Sequence, residues 1–262
     1  MSVGKMFFFA VLCVCCCAAQ CQDVREMVRQ DVKAELAADA ADHSVWIFYD
    51  NDRKQNNDEV QWIAQTRRGD LTRVIERDGR QISEEQQRSS VESLLDDPRA
   101  AAKRRQASEK DVAQAESLLK LLPEAFLWTE VSHNDETTTF HFEPDPSFHA
   151  PTREARVFAA MAGEMTVDND QQRIEEVKGT MIRDMSFGWG LVGSLKKGGW
   201  FQVVQQQVAP GMWEITEIHV HLQGRLLFFK TIAEKEDDVD TSFSREPGDV
   251  TLEQAAAALM AK

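Results

Sequence analysis

The body of this chain contains no cysteine. All five cysteines, Cys13, Cys15, Cys16, Cys17 and Cys21, lie within the first 21 residues. A folded region without cysteine has no disulfide bridge and no thiolate metal site. Tyrosine is nearly absent as well, with one residue against 14 Phe and 6 Trp. The aromatic side chains are therefore large apolar surfaces with few hydroxyl groups.

Positive charge is also scarce, because 30 Lys and Arg residues face 44 Asp and Glu residues, for a formal net charge of −14. A strongly anionic surface repels nucleic acid and anionic lipid headgroups, so we expect no nucleic-acid partner. Beyond the N-terminal region, no stretch approaches the roughly 20 consecutive apolar residues that a membrane-spanning helix needs. We therefore expect no transmembrane segment after signal cleavage, and a ligand that is apolar or cationic.

The N-terminus has the pattern of a secretory signal peptide. Lys5 supplies a basic residue, an apolar run extends from Met6 to about Ala19, and small residues precede the polar Gln20. Residues 1–19 are predicted to be removed, which places the protein in the periplasm or outside the cell. In an alternative reading Cys21 is lipidated and anchors the chain, although Gln20 stands where bacterial lipoprotein signals usually have Gly, Ala or Ser.

Between residues 157 and 232, short apolar-bearing runs are separated at regular intervals by turn residues, which is typical of an antiparallel meander. Helical periodicity is found over 23–42, 83–95 and 100–122, and further strands are predicted from residue 45 onwards. The predicted fold class is α+β, mainly β, with a curved antiparallel sheet or incomplete β-barrel covered by helices. Residues 20–235 are predicted to form a single half-barrel domain, followed over 236–262 by an acidic linker and a short C-terminal helix.

Two polar stretches are predicted to lie outside the sheet. Asp50 to Asp58 is a polar run that reads as an exposed loop, and Glu234 to Asp240 is acidic enough to read as a solvated segment. By contrast, Leu226 to Phe229 is apolar on both faces of its strand. Such a strand needs cover on both sides, from a helix on one and from a second layer or an apolar ligand on the other.

Five segments occur in a recognisable order: the signal peptide, Val45 to Arg77, Leu121 to Phe126, Phe142 to Pro146 and Gly163 to Asp168. This order resembles the bacterial outer-membrane lipoprotein-sorting superfamily, which includes the periplasmic lipoprotein carrier. The resemblance implies a highly curved, incomplete barrel that encloses an apolar cavity for acyl chains. It is carried by element order and assigns no individual ligand-contacting residue. Two further segments, Gly188 to Phe201 and Trp213 to Phe229, resemble secreted proteins of unassigned role that are associated with the same fold.

On this basis the sequence predicts a non-enzymatic binding protein for an acyl chain or a lipid-modified partner, without a cofactor. Core packing is the ordinary role of aromatic residues on strands, but their number also suits a lipid-lined cavity. An alternative is an interaction or sensor module of the same fold that docks another envelope protein. The residues predicted to line the cavity are Trp46, Trp62, Phe140, Phe142, Trp200, Ile218, Val220, Leu227 and Phe229.

A zinc hydrolase is a further alternative, because His219 and His221 share one face of a strand about 7 Å apart. The third ligand would come from His141, His133 or His149. A polar strand face accommodates histidines without any metal, and the chain has neither a cysteine nucleophile in its body nor a Gly-x-Ser-x-Gly motif. We therefore predict neither a metal site nor a catalytic residue.

Overall fold

The computed structural model describes residues 24–152, 154–187, 193–226 and 235–262. The helices are α1 (24–41), α2 (Glu84–Asp96), α3 (Pro98–Leu119), α4 (Leu122–Ala125) and α5 (Leu252–Ala261), with a 3-10 helix at Ala155–Ala160. The strands are β1 (Val45–Lys54), β2 (Asn57–Ala64), β3 (Leu71–Arg77), β4 (Arg80–Gln81), β5 (Phe126–His133), β6 (Thr137–Pro144), β7 (Met161–Asp168), β8 (Arg173–Met181), β9 (Met185–Phe187), β10 (Gly193–Leu195), β11 (Trp200–Ala209), β12 (Met212–His221), β13 (Gly224–Leu226) and β14 (Lys235–Glu246).

Eleven of these strands form one antiparallel sheet in the order β4-β3-β2-β1-β14-β12-β11-β8-β7-β6-β5. The sheet is not closed into a barrel, since β4 and β5 are its two edges. The prediction of a mainly β protein with a large antiparallel sheet is confirmed. A second sheet of three short strands has the order β13-β10-β9.

The C-terminal acidic segment is a central strand of the large sheet. β14 lies between β1 and β12 and pairs with both in antiparallel register. The prediction that Glu234 to Asp240 is a solvated segment is therefore wrong for its described residues, which begin at Lys235. Backbone pairing on both sides holds these acidic residues in the sheet, although their composition alone favours a solvated segment. The predicted C-terminal helix is present as α5, where Thr251 and Gln254 form a capping box.

The polar run that follows Tyr49 is also part of the sheet. β1 continues to Lys54, the chain turns at Gln55 and Asn56, and β2 begins at Asn57. The predicted exposed loop at Asp50 to Asp58 is therefore wrong, because this segment is a β-hairpin. Asp50 and Asp52 belong to β1, where their neighbours in β14 are also acidic.

Helices cover the two ends of the sheet on opposite faces. Val28 and Val32 of α1 pack against the strands β5 to β8, in a core that includes Phe126, Trp128 and Phe140. At the other end, Ala255, Ala256 and Leu259 of α5 pack with Ile47, Ala64 and Leu71, and Val91 of α2 joins them. We call the face that α1 covers the α1 face, and the opposite face the α5 face.

A third apolar cluster lies on the α1 face beside the core under α1. Leu195 of the small sheet and Ala160 of the 3-10 helix pack onto Met161, Met181 and Val220 of the large sheet. None of the described helices is both long and apolar enough to cross a membrane.

Candidate functional site

A row of paired residues crosses the middle of the α1 face. Because residues opposite each other in an antiparallel sheet point to the same side, the register fixes which side chains share this row. Phe140 and Met165 are buried under α1, and Val177, Val203 and Ile218 follow as half-buried side chains. In order the row runs Phe140, Met165, Val177, Val203, Ile218, Asp238 and Asp52. The central α1 face thus changes from apolar to acidic within a few strands.

The neighbouring row shows how closely the apolar part is packed. Here Gly163 and Gly179 lie opposite each other in β7 and β8, between Phe142 and Phe201. A Cβ added to Gly179 would lie 2.5 Å from Cε1 of Phe201, and one added to Gly163 would lie 2.8 Å from Cζ of Phe142. The two glycines therefore provide the space that both aromatic rings occupy.

The acidic end of the α1 face consists of Asp50, Asp52, Asp238 and Asp240, which we call the acidic cluster. Each strand contributes an Asp-x-Asp pair, and the two-residue period of a strand directs both carboxylates of a pair to one face. The register pairs Asp50 with Asp240 and Asp52 with Asp238. Two adjacent strands therefore bring four carboxyl groups together.

Few described partners reach these carboxyl groups. Nε2 of Gln61 donates a hydrogen bond of 2.9 Å to Oδ2 of Asp50, and Lys54 forms ion pairs with Asp52 and Glu236. The Oδ1 atoms of all four aspartates are buried and have no hydrogen-bond partner within the described residues. The hydroxyl of Thr216 in β12, a residue that is 7 % exposed, has none either.

The surroundings of the cluster favour protonation of its carboxyl groups. Burial raises the pKa of Asp50 to about 6 and that of Asp238 to about 7, and the neighbouring carboxylates add to the shift of Asp238. The pKa of Asp240 rises to about 8 because of burial and the charges of Asp238, Asp50 and Asp52. Glu214, which also acts on Asp240, has its own pKa raised to about 7 by burial. The surroundings of these groups thus favour their neutral, protonated form.

The α5 face of the same strands carries a different set of charges. His219 and His221 both approach Oδ1 of Asp237, with N···O distances of 2.9 and 2.7 Å, and Nε2 of His219 lies 3.2 Å from Glu217. Burial opposes protonation of His219, but the hydrogen bonds that Asp237 and Glu217 accept from its ring outweigh burial and raise the pKa of this imidazole. Trp200 stacks on His221 with ring centroids 4.4 Å apart.

The predicted third ligand for His219 and His221 is far from both. His141 belongs to β6, four strand positions from β12 in the sheet order, which corresponds to roughly 19 Å at about 4.8 Å per strand. His133 contacts the hydroxyl of Thr138 and His149 contacts the carbonyl of Ser147. The described residues therefore supply no third histidine, and the zinc hydrolase stays a prediction without a complete ligand set.

The described residues of the predicted cavity are distributed over both faces. Phe140 and Phe142 belong to the core under α1, and Ile218 and Val220 to the third cluster. Trp46 is buried on the α1 face beside Phe243, whereas Trp62 packs under α5 and Trp200 is exposed on the α5 face. Leu227 and Phe229 lie outside the described residues. Trp62 and Trp200 thus lie on the side opposite to the others, and binding by the remaining residues stays a prediction.

A cavity of about 520 Å³ opens on the α5 face. Its lining combines Trp200 with charged and polar side chains, including His141, Glu164, Glu176 and Lys178. A lining of this kind does not suit an acyl chain. The apolar part of the central α1 face is therefore the better candidate for an apolar ligand.

The acidic cluster is the feature that sequence reasoning missed. The signal was present, because Asp50 and Asp52 in one stretch and Asp238 and Asp240 in another alternate with a period of two. A high density of charge predicts a solvated segment, whereas the alternation of the aspartates predicts a strand with one acidic face. No family model matches this sequence, and no curated protein matches it.

Proposed function

We propose that this chain is a secreted or periplasmic, non-enzymatic binding protein whose ligand has an apolar segment, such as an acyl chain or a lipid-modified partner. The observation that carries the proposal is the row of half-buried apolar side chains, Val177, Val203 and Ile218, in the middle of the α1 face. An apolar ligand on these side chains would remove their remaining surface from water, which is favourable by about 25 cal/mol per Å².

The open, mainly β architecture is also compatible with the resemblance to the lipoprotein carrier. Because the sheet is not closed, its α1 face would be accessible to an elongated ligand from the edge of the sheet. The acidic cluster lies at the end of the apolar row, so an apolar ligand with a cationic group would match both parts.

A pair of adjacent substitutions tests this proposal, because Val203 and Val204 are both half-buried and point to opposite faces of β11. Binding of a fluorescent long-chain fatty acid is titrated against the wild type, Val203→Asn and Val204→Asn. We expect Val203→Asn to weaken binding roughly tenfold, the equivalent of about 1.4 kcal/mol, since it removes apolar contact. Val204→Asn is the matched control and should change binding less than twofold.

Equal losses in both variants, or no binding by the wild type, would contradict the proposal. Organic extraction of the protein purified from its own envelope gives a second readout, for which we expect about one equivalent of lipid. An empty protein that co-purifies with one stoichiometric protein partner would favour the interaction module instead.

A further inference from the structure

The acidic cluster has the dimensions of a coordination sphere for a single cation. One carboxylate oxygen from each of Asp50, Asp238 and Asp240 can be chosen so that all three lie within 4.8 Å of one another. Calcium binds oxygen ligands at about 2.3–2.6 Å, so two oxygens on opposite sides of one ion are about 4.8 Å apart. The spacing across β1 and β14 therefore matches ligands that share one ion.

Several polar atoms of the cluster are buried without a hydrogen-bond partner, which is an observation independent of the spacing. Asp50, one of the three aspartates whose oxygens lie close together, is only 5 % exposed. Its Oδ1 atom has no hydrogen-bond partner. The hydroxyl of Thr216 is equally unpartnered on the adjacent strand β12. Thr216 precedes Glu217, whose partner in β14 is Val239, the neighbour of Asp240. Buried polar atoms without partners are rare in folded proteins, because each costs about 1–3 kcal/mol.

Charge balance points the same way. Lys54 is the basic side chain that forms ion pairs next to the cluster, and it already pairs with Asp52 and Glu236. Among the described residues, Asp50, Asp238 and Asp240 have no ion-pair partner. A buried group of carboxylates without a counter-charge is strongly unfavourable, and a bound cation is the usual remedy in proteins.

We propose that Asp50, Asp238 and Asp240 bind one hard divalent cation, with Ca²⁺ as the ion that fits best. All the available ligands are oxygens, which excludes the nitrogen and sulfur sets typical of zinc. Ca²⁺ accepts irregular arrangements of six to eight oxygens, whereas Mg²⁺ requires near-ideal octahedral geometry at about 2.0–2.1 Å. Thr216 and water would complete the coordination. The site uses none of the apolar side chains Val177, Val203 and Ile218, so it holds or fails independently of the proposed apolar segment. A bound Ca²⁺ would take the place of a cationic group on the ligand.

Isothermal titration calorimetry of the chelator-treated full chain with CaCl₂ tests the site. We expect about one equivalent of Ca²⁺ with a dissociation constant on the order of 10⁻⁴–10⁻³ M, as in extracellular calcium-binding modules. The double variant Asp238→Asn/Asp240→Asn should weaken binding at least a hundredfold. Asp237→Asn is the matched control, because it removes a carboxylate from the same strand on the opposite face and should change the affinity less than twofold.

Thermal unfolding in the presence and absence of CaCl₂ provides the second readout and shows that each variant is folded. Ca²⁺ should raise the melting temperature of the wild type and of Asp237→Asn, and should leave the double variant unchanged. The proposal is overturned if the wild type binds no Ca²⁺ at millimolar concentration, or if Asp237→Asn loses as much affinity as the double variant. Tighter binding of MgCl₂ than of CaCl₂ would overturn the assignment of the ion.

Discussion

Asp237 and Asp238 are neighbours in β14, yet their carboxyl groups meet opposite surroundings. On the α5 face, His219 and His221 hydrogen-bond Asp237 and lower the pKa of its carboxyl group against the effect of burial. On the α1 face, burial and neighbouring carboxylates raise the pKa of Asp238 to about 7. One step along a strand thus separates a compensated charge from an uncompensated one, because successive side chains point to opposite faces.

A third acidic residue, Glu35, shows that a buried carboxyl group in this protein is not always without a cationic partner. Glu35 of α1 is 3 % exposed, and it forms a bidentate pair with Arg173, whose Nε and Nη2 donate hydrogen bonds of 2.9 and 2.7 Å. The backbone N–H of Ile174 donates a further bond to Oε2 of Glu35. What distinguishes Glu35 from Asp50, Asp238 and Asp240 is therefore the presence of a cationic side chain at hydrogen-bonding distance.

Removing Arg173 from its ion pair with Glu35 should have the largest effect on stability. Arg173→Leu leaves Glu35 buried without its cation, so we expect the free energy of unfolding to fall by about 3–5 kcal/mol in urea titrations. Asp39 also accepts a bond from Arg173, but its side chain is 52 % exposed. Asp39→Asn should therefore cost less than about 1 kcal/mol. Similar losses in both variants would show that the burial of Glu35 does not decide the cost.

The pH dependence of the stability of the metal-free protein tests whether the carboxyl groups of Asp50, Asp238 and Asp240 lack a counter-charge. The pKa values of Asp50, Asp238 and Asp240, about 6, 7 and 8, lie above the value near 3.8 of an unfolded aspartate. The unfolded state then binds fewer protons between these values, so stability falls as the pH rises. We expect a loss on the order of 2 kcal/mol between about pH 5 and pH 8, measured by urea unfolding with a chelator present.

The variant Asp238→Asn/Asp240→Asn supplies the control for this slope, because it removes two of the three titrating groups. Its stability should change much less over the same range, and at pH 8 it should exceed that of the metal-free wild type. A wild type whose stability is flat or rises with pH would contradict the uncompensated state of the cluster.

The smallest effect is expected on the α5 face. Because the pKa of His219 is raised in the folded state, its contribution is fully present below the unfolded value near 6.5 and is lost as the pH rises through the folded value. His219→Gln should cost up to about 1 kcal/mol near pH 6 and less near pH 8. His141→Gln is the control on the same face, since its nearest ion-pair partner, Glu143, is 3.7 Å away. An equal pH-dependent loss of stability in both variants would argue against a stabilising interaction between His219 and Asp237.

Periodicity in the sequence was sufficient for most of the elements. Apolar spacing predicts α1, and the match of Ser83 and Gln86 to a capping box predicts the start of α2, where Ser83 accepts from the Gln86 amide. Helix α3 and the meander from β7 to β12 follow from similar local patterns. These features depend on residues close together in the chain, which is why local patterns reveal them.

The candidate site depends on residues that are far apart in the chain. Asp50 and Asp240 become neighbours only through the pairing of β1 with β14, and local composition contains no information about that register. The sheet face on which Trp62 and Trp200 lie is equally hard to predict from local sequence. Alternation predicts which side chains share a face, but the side that a helix covers depends on where distant helices pack.

The central position of β14 determines the order in which the sheet is completed. Val45 at the start of β1 pairs with Glu246 at the end of β14, so the ribbon β1 to β4 joins the meander β5 to β12 only after the last strand is available. Until then, β1 and β12 are open edges that other chains are able to extend, and such non-local pairing is slow. Asp50 and Asp52 on β1 place like charges on one of these edges, where they oppose pairing between two copies of the chain. Like charges at these positions suit a strand whose edge stays open until β14 is in place.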